Sequence, residues 1–171
     1  MAKYHLKFQN RKVYMSLKII AAIGKNNELG KDNKLLWNLK DDLKFFREKT
    51  NYQTIIMGRK TFESLPKLLP NRRHVVLSQS DNFPSEVIVY HQIQDLLENE
   101  QDGFIIGGGK IYTLLLDYAN KLYLTEIDKT YKDADTYFPN FDKSLFETET
   151  LKTCYDEKED IHYKHVLYKR R

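Results

Sequence analysis

From Leu17 the chain runs through Ile19, Ile20, Ala21, Ala22 and Ile23 with charge only at Lys18, a nearly unbroken apolar stretch opened by Met15. A strand covered on both faces by helices reads this way, because neither face has to offer polar side chains to water. The shorter runs Thr54–Met57, His74–Leu77, Val87–Val89 and Phe104–Ile106 share that character. Between them Asp41–Lys49, Arg59–Leu65, Ile93–Asn99 and Lys110–Asp117 read as helices. After Tyr118 the pattern changes to three extended segments, Lys121–Asp128, Phe146–Tyr155 and Ile161–Tyr168, with no good helix among them. Alternation followed by strands alone predicts a single three-layer αβα domain with a mainly parallel mixed sheet of about eight strands, an antiparallel C-terminal hairpin and about four flanking helices. Asp128–Asn140 is the most polar long connection and reads as a surface loop.

Composition narrows the class. A chain of 171 residues suits one domain, and a 41% hydrophobic share supplies a core. The longest apolar run is far short of the roughly 20 residues that cross a bilayer, and no apolar block follows the basic N-terminus as a signal peptide requires. The single cysteine, Cys154, excludes an internal disulfide and fits a reducing compartment, so the cytoplasm is the expected location. The formal charge of +4 invites an acidic partner, but all of the excess lies in Met1–Tyr14, which carries Lys3, Lys7, Arg11 and Lys12 and no acid. The rest, Met15–Arg171, is formally neutral. Met1–Tyr14 therefore reads as a basic extension or leader, with Met15 as the functional beginning.

Three segments carry candidate chemistry. Gly107-Gly108-Gly109-Lys110 follows an apolar strand and opens a helix. Glycines there let a ligand approach the backbone, and a helix start offers free N–H groups to phosphate. Neither the P-loop nor the G-x-G-x-x-G spacing fits, and a plain strand-to-helix turn is the alternative. Gly58-Arg59-Lys60-Thr61 stands at a second such junction, suited to a phosphate or to a solvated basic turn. Two junctions in one sheet suggest a dinucleotide, and an arginine on one of them favours NADP over NAD.

The third is Trp37-Asn38-Leu39-Lys40-Asp41-Asp42-Leu43-Lys44-Phe45-Phe46. Leu39, Leu43 and Phe46 fall on one helical stripe, expected to be buried, and position 42 lies about 40° from Phe46 and about 60° from Leu39 on the wheel. Asp42 thus sits beside apolar surface, where a carboxylate is costly unless paired. It either caps the helix or pairs with a cationic or amidine-like ligand. His162 and His165, three apart in a strand, should point to opposite faces, which disfavours a metal pair. No metal site is expected, and Cys154 reads as a buried small residue.

Taken together, these segments resemble dihydrofolate reductase over nearly all of Met15–Arg171. The motifs Ile19-Ile20-Ala21-Ala22-Ile23, Leu29-Gly30, Trp37-Asn38-Leu39 and Asp42-Leu43-x-x-Phe46 look like that family's first strand, mobile loop and substrate helix. Ile56-Met57-Gly58-Arg59-Lys60-Thr61-Phe62-Glu63-Ser64, Leu69-Pro70-Asn71-Arg72, Ile106-Gly107-Gly108-Gly109, Leu122-Tyr123-Leu124-Thr125 and Asp135-Thr136-Tyr137-Phe138-Pro139 follow in family order. The resemblance implies reduction of 7,8-dihydrofolate to tetrahydrofolate, with NADPH as cofactor, by hydride transfer to pterin C6, in a monomer without nucleic-acid or membrane partners.

In that scheme Asp42, Trp37 and Thr125 form the catalytic set, Asp42 holding the pterin 2-amino group and N3. Phe46, Leu43 and Leu69 would pack the substrate and Arg72 would clamp its glutamate carboxylate. Ile20, Ala21, Ala22, Ile106 and Tyr112 would line the pterin and nicotinamide sites. Arg59, Lys60, Thr61, Ser78 and Gln79 would hold the adenosine phosphates. Gly107, Gly108, Gly109 and Lys110 would lie along the pyrophosphate, with Leu29, Gly30, Gly58, Leu77 and Ile111 completing the cofactor surface. The Gly107–Gly108 bond is expected to be cis. Leu36 replaces a proline common in relatives, and Ala134 a glycine found in some. Two other classes are a pyrimidine reductase of riboflavin synthesis, which the Asp42 helix and Arg72 disfavour, and a nucleic-acid-binding domain, which the dispersed basic residues disfavour.

Overall fold

The computed structural model describes residues 16–171. The basic segment before Met15, and the strand opening placed on Met15, lie outside the described residues. The first strand, β1 (Ser16–Ile23), is central. The other elements follow as β2 (Glu28–Lys31), β3 (Lys34–Leu35), α1 (Lys40–Thr50), β4 (Thr54–Gly58), α2 (Arg59–Ser64), β5 (Arg73–Leu77) and β6 (Ile88–Tyr90). Then come α3 (Ile93–Asn99), β7 (Asp102–Gly107), α4 (Gly109–Leu115), β8 (Ala119–Ile127), β9 (Thr136–Tyr137), β10 (Phe146–Asp156) and β11 (Ile161–Arg170). The eight-stranded sheet has the order β10-β11-β8-β1-β7-β4-β5-β6. Pairing is parallel from β8 through β6, whereas β11 pairs antiparallel with both β8 and β10.

The layering follows from strand alternation. Leu17, Ile19 and Ala21 of β1 join Leu122 and Leu124 of β8 in one core with Leu96 and Leu97 of α3 and Ile111, Tyr112 and Leu115 of α4. The opposite face carries Ile55, Met57 and Val76 packed with Phe62 and Leu65 around α2, and the cluster of Trp37 and Leu39 ahead of α1. The candidate residues Ile20 and Ala22 share this second face with Thr125, since β1 pairs residue for residue with β8 (Ile20 with Tyr123, Ala22 with Thr125). Ala21 does not share it. Its side chain lies in the opposite core at 9% exposure, so it reaches the cleft only through its backbone.

Three further expectations are corrected. The Leu39, Leu43, Phe46 stripe is not uniformly buried: Leu39 is 1% exposed, but Leu43 is 43% exposed and Phe46 half-buried. The helix instead meets the sheet through Phe45, whose ring stacks on His165 at 3.9 Å between centroids. Second, Asp128–Asn140 is not all surface loop, because β9 pairs with β2 and Phe138 is buried against Tyr112. Third, Lys110–Asp117 starts earlier, at Gly109, and its end tightens into a 3-10 turn over Leu116–Tyr118. Among the described residues no helix is long and apolar enough to cross a membrane.

Candidate active site

Asp42 lies in the first turn of α1 but does not cap it: the N-cap is Leu39, with no side-chain cap bond. Its carboxylate turns to the sheet, where the Thr125 hydroxyl donates to Oδ1 at 2.6 Å. Thr125 is 2% exposed and sits on β8 beside Ala22 of β1. No lysine or arginine among the described residues pairs with Asp42; the nearest cationic candidate is His165, whose Nδ1 lies 4.0 Å away. Burial pushes the Asp42 carboxyl above its ordinary value, and the bond from Thr125 pulls it partly back. A mostly buried carboxylate with one neutral partner has unfilled acceptor sites and calls for N–H donors from a ligand.

Around this carboxylate the chain places two further polar groups. The Tyr112 hydroxyl donates to the Ile20 carbonyl at 2.8 Å, and burial holds it un-ionised. The buried Trp37 Nε1–H, unlike the Tyr112 hydroxyl, has no acceptor within the protein among the described residues. Trp37 is fixed by Tyr131, 5.2 Å away between ring centroids, and by the Leu39 and Ile127 cluster.

At the outer end of α1, Arg72 is half-buried and spends its donors on neutral oxygens: Thr50 Oγ1 at 3.0 Å, the Pro70 carbonyl at 2.6 Å and the Arg47 carbonyl at 2.9 Å. No carboxylate among the described residues pairs with it, and burial together with Arg47 weakens its hold on the proton. A guanidinium aimed by three carbonyl or hydroxyl oxygens but without an anion is suited to clamp one. Leu69, nearby in the same turn, is positioned by His74, whose Nε2 accepts the Leu69 backbone N–H at 3.1 Å.

The glycine junctions come together on one edge of the cleft. A Cβ on Gly108 would meet the Thr61 hydroxyl at 3.4 Å, and one on Gly58 would run into Ile111 at 2.9 Å. Gly107 has φ +127°, open mainly to glycine, and the Gly107–Gly108 bond is cis. Arg59 is exposed, and its Nη1 donates to both carboxylate oxygens of Glu63, at 2.8 and 3.0 Å. Gln79 donates to the His91 carbonyl and the Ser78 backbone N–H to the Tyr90 carbonyl of β6, so both lie just beyond the end of β5. Leu77 and Ile106 lie partly exposed at strand ends beside these junctions, and Lys110 is exposed on α4.

Over the cleft, Leu29 and Gly30 lie on β2, which pairs with both β3 and β9. Asp135 accepts the Asp32 backbone N–H at 3.0 Å, and the Asp135 N–H donates to the Gly30 carbonyl, tying the hairpin to the loop before β9. Glu28, 1% exposed, accepts the backbone N–H groups of Asn26 and Tyr131 with its two carboxylate oxygens.

Comparison with known proteins fits this geometry. The family model described as dihydrofolate reductase matches residues 16–170. A dihydrofolate reductase of Bacillus subtilis is 36% identical over 160 residues, covering 91% of this chain and 95% of that protein. One from Buchnera aphidicola of Acyrthosiphon pisum is 42% identical, covering 81% and 91%. A solved dihydrofolate reductase from Enterococcus faecalis, complexed with NADP(H) and RAB-propyl, superposes with a TM-score of 0.81 at 33% identity, covering 91% of this chain and 96% of that one.

The chain belongs to the dihydrofolate reductase family. The pyrimidine reductase alternative is thereby set aside. The residues present fit the family's cofactor: Gly108 leaves the Thr61 hydroxyl clear, and a Cβ on Gly107 or Gly109 would crowd Tyr112 or Thr136 and Tyr137 instead. The sequence reading did not anticipate His165, which joins Asp42 through Thr125, nor His74 and Glu28. His162 and His165 do point to opposite faces, with His162 exposed and His165 buried, but alternation alone does not say which face is covered or which residue His165 meets.

Proposed function

We propose how this chain carries out its family's reaction, the NADPH-dependent reduction of 7,8-dihydrofolate to 5,6,7,8-tetrahydrofolate. The observation that carries the reading is the mostly buried carboxylate of Asp42, 15% exposed, with a single hydroxyl donor and no lysine or arginine partner among the described residues. Asp42 accepts the two N–H groups along one edge of the pterin, its 2-amino group and N3, and Thr125 keeps the carboxylate aimed. Ile20, Ala22, Leu43 and Phe46 supply the apolar walls, Ile106 and Tyr112 the border with the nicotinamide, and Leu69 the contact to the p-aminobenzoyl ring. Arg72 pairs with the glutamate α-carboxylate. Binding of the pterin edge by a carboxylate favours the protonated form of the ring, so the proton that N5 requires is taken from water while Trp37 and the apolar walls exclude the bulk.

When bound, NADPH supplies a hydride from nicotinamide C4 to pterin C6. Arg59, Lys60 and Thr61, with Ser78 and Gln79, hold its adenosine phosphates. Gly108, Gly109 and Lys110 meet the pyrophosphate, while Leu29, Gly30, Gly58, Leu77 and Ile111 line its path. The preference for NADPH rests mainly on Arg59, because Gln79 brings no charge. We read the chain as a cytoplasmic monomer whose catalytic domain starts at Met15 and which needs no nucleic-acid or membrane partner. The test is spectrophotometric: purified protein given dihydrofolate consumes NADPH, and absence of any dihydrofolate-dependent loss overturns the reading.

A further inference from the structure

Behind the Asp42–Thr125 pair stands a third group. His165 of β11 faces Thr125 directly, as its register partner across the β8–β11 pair. Its Nδ1 lies 2.8 Å from Thr125 Oγ1, and it is 2% exposed. The ring is clamped, stacked on Phe45 at 3.9 Å and met edge-on by Tyr163 at 5.7 Å. A hydroxyl has one proton. When Asp42 is ionised the Thr125 proton must go to Oδ1, so Oγ1 has only lone pairs left for the imidazole, and Nδ1 must be the protonated nitrogen.

The geometry points to His165 as a positioning residue for the substrate-binding carboxylate: its Nδ1–H donates to Thr125 Oγ1 and fixes that hydroxyl with its proton on Asp42. Serial donation polarises the Thr125 O–H and makes it a stronger donor, which favours the ionised form of Asp42. The second lone pair of Oγ1 stays available to a ligand N–H. This inference rests on the reading of Asp42 as the pterin anchor, but the wiring itself exists without ligand.

The surroundings keep His165 neutral. The charged and titratable groups around the array are Asp41, Asp42 and Lys49 from α1, Lys152 from β10, Cys154 and Tyr163 beside the ring, Tyr123 on β8 and Tyr112 from α4. Burial, reinforced by Lys152, takes the imidazole down to about 4. At neutral pH the ring is therefore a neutral dipole with one donor, not a counter-ion to Asp42.

The test reads tautomer and titration separately from turnover. In the intact, ligand-free protein, nitrogen-15 NMR should show His165 at neutral pH as the Nδ1–H tautomer; the Nε2–H tautomer overturns the inference without any variant having to fold. His165→Phe keeps a flat ring against Phe45 but removes the donor. It should move the Asp42 carboxyl titration, followed by carbon-13 NMR, to higher pH and raise the dihydrofolate KM about three- to tenfold, the range of one hydrogen bond. His165→Asn, with an amide N–H near the place of Nδ1–H, should restore both. An Asp42 titration unmoved in folded His165→Phe, or moved equally in His165→Asn, overturns the inference. Failure of wild-type turnover would count against the proposed function and remove the KM readout, while the tautomer and the Asp42 titration would still decide this inference.

Discussion

The two ends of the cleft are built by different means. At the proposed substrate end, three side chains from α1, β8 and β11 meet in one chain of bonds, Asp42 and Thr125 standing 83 positions apart in sequence and Thr125 and His165 40 apart. At the proposed phosphate end, two contiguous segments, Gly58–Thr61 and Gly107–Lys110, set four glycines beside the exposed side chains of Arg59, Lys60 and Lys110. The first end is specific because burial makes each unpaired polar atom costly. The second combines exposed charge with glycine positions that are intolerant of added volume. Substitutions should therefore cost catalysis and substrate affinity at one end and cofactor affinity at the other.

The largest effect belongs to the substrate end. Asp42→Asn should lower turnover about 10²–10⁴-fold at neutral pH, the range for a carboxylate tied to proton transfer, measured as NADPH consumption; undiminished turnover breaks the assignment. The same variant should melt at a higher temperature near neutrality. Burial raises the folded carboxyl above its ordinary value of 3.8, so the folded chain holds that proton more tightly than the unfolded chain. Stability is then lost as pH rises from the ordinary value through the raised one, and the amide escapes the loss. The Tm gain should shrink as pH is lowered toward 3.8, and a gain independent of pH breaks the linkage.

Arg72→Leu should raise the dihydrofolate KM about 10- to 100-fold through the lost charge-assisted pair, with kcat nearly unchanged because that contact is the same in ground and transition states. A pteridine without a carboxylate should be reduced as before, and an equal loss with it would mean that the Thr50, Pro70 and Arg47 contacts of Arg72 matter more than the clamp. At the other end, Gly109→Ala puts a Cβ 2.9 Å from Thr136 Cγ2 and 3.1 Å from the Tyr137 carbonyl. Overpacking of about 1–2 kcal/mol should raise the NADPH KM about tenfold and leave the dihydrofolate KM alone, and a change in both would blur the contrast between the ends. The smallest effect is expected for Arg59→Ala, a several-fold drop in the NADPH over NADH ratio of kcat/KM. Its exposed pair with Glu63 should contribute under about 0.5 kcal/mol to stability, so a Tm shift of several degrees would contradict the surface placement.

Legibility in sequence differed in the same way. The apolar runs from Leu17, Thr54 and Phe104 and the antiparallel finish after Tyr118 were readable because burial on both faces leaves no polar alternation. The glycine junctions were readable because phosphate-suited backbone is local. The hairpin β2–β3 and the strand Thr136–Tyr137 were not, since each is two to four residues long and forms only against the other. Phe138 was hidden inside a polar stretch for the same reason. The wheel placed Asp42 beside apolar surface correctly, but it overstated the burial of Leu43, because periodicity marks a face and does not say whether a neighbouring element covers it.

What the sequence determined by itself is the order of elements, their period and the residue types at each junction, because propensity and local hydrogen bonding act over a few residues. What only the tertiary structure decided is which of them touch. Strand register set Thr125 opposite His165 and on the face of Ala22, sent Ala21 to the other core, and brought Asp42 across from α1 to receive the Thr125 proton. A one-residue register shift of β8 would turn Thr125 away from both Asp42 and His165, and that register is set by pairing between strands distant in the chain.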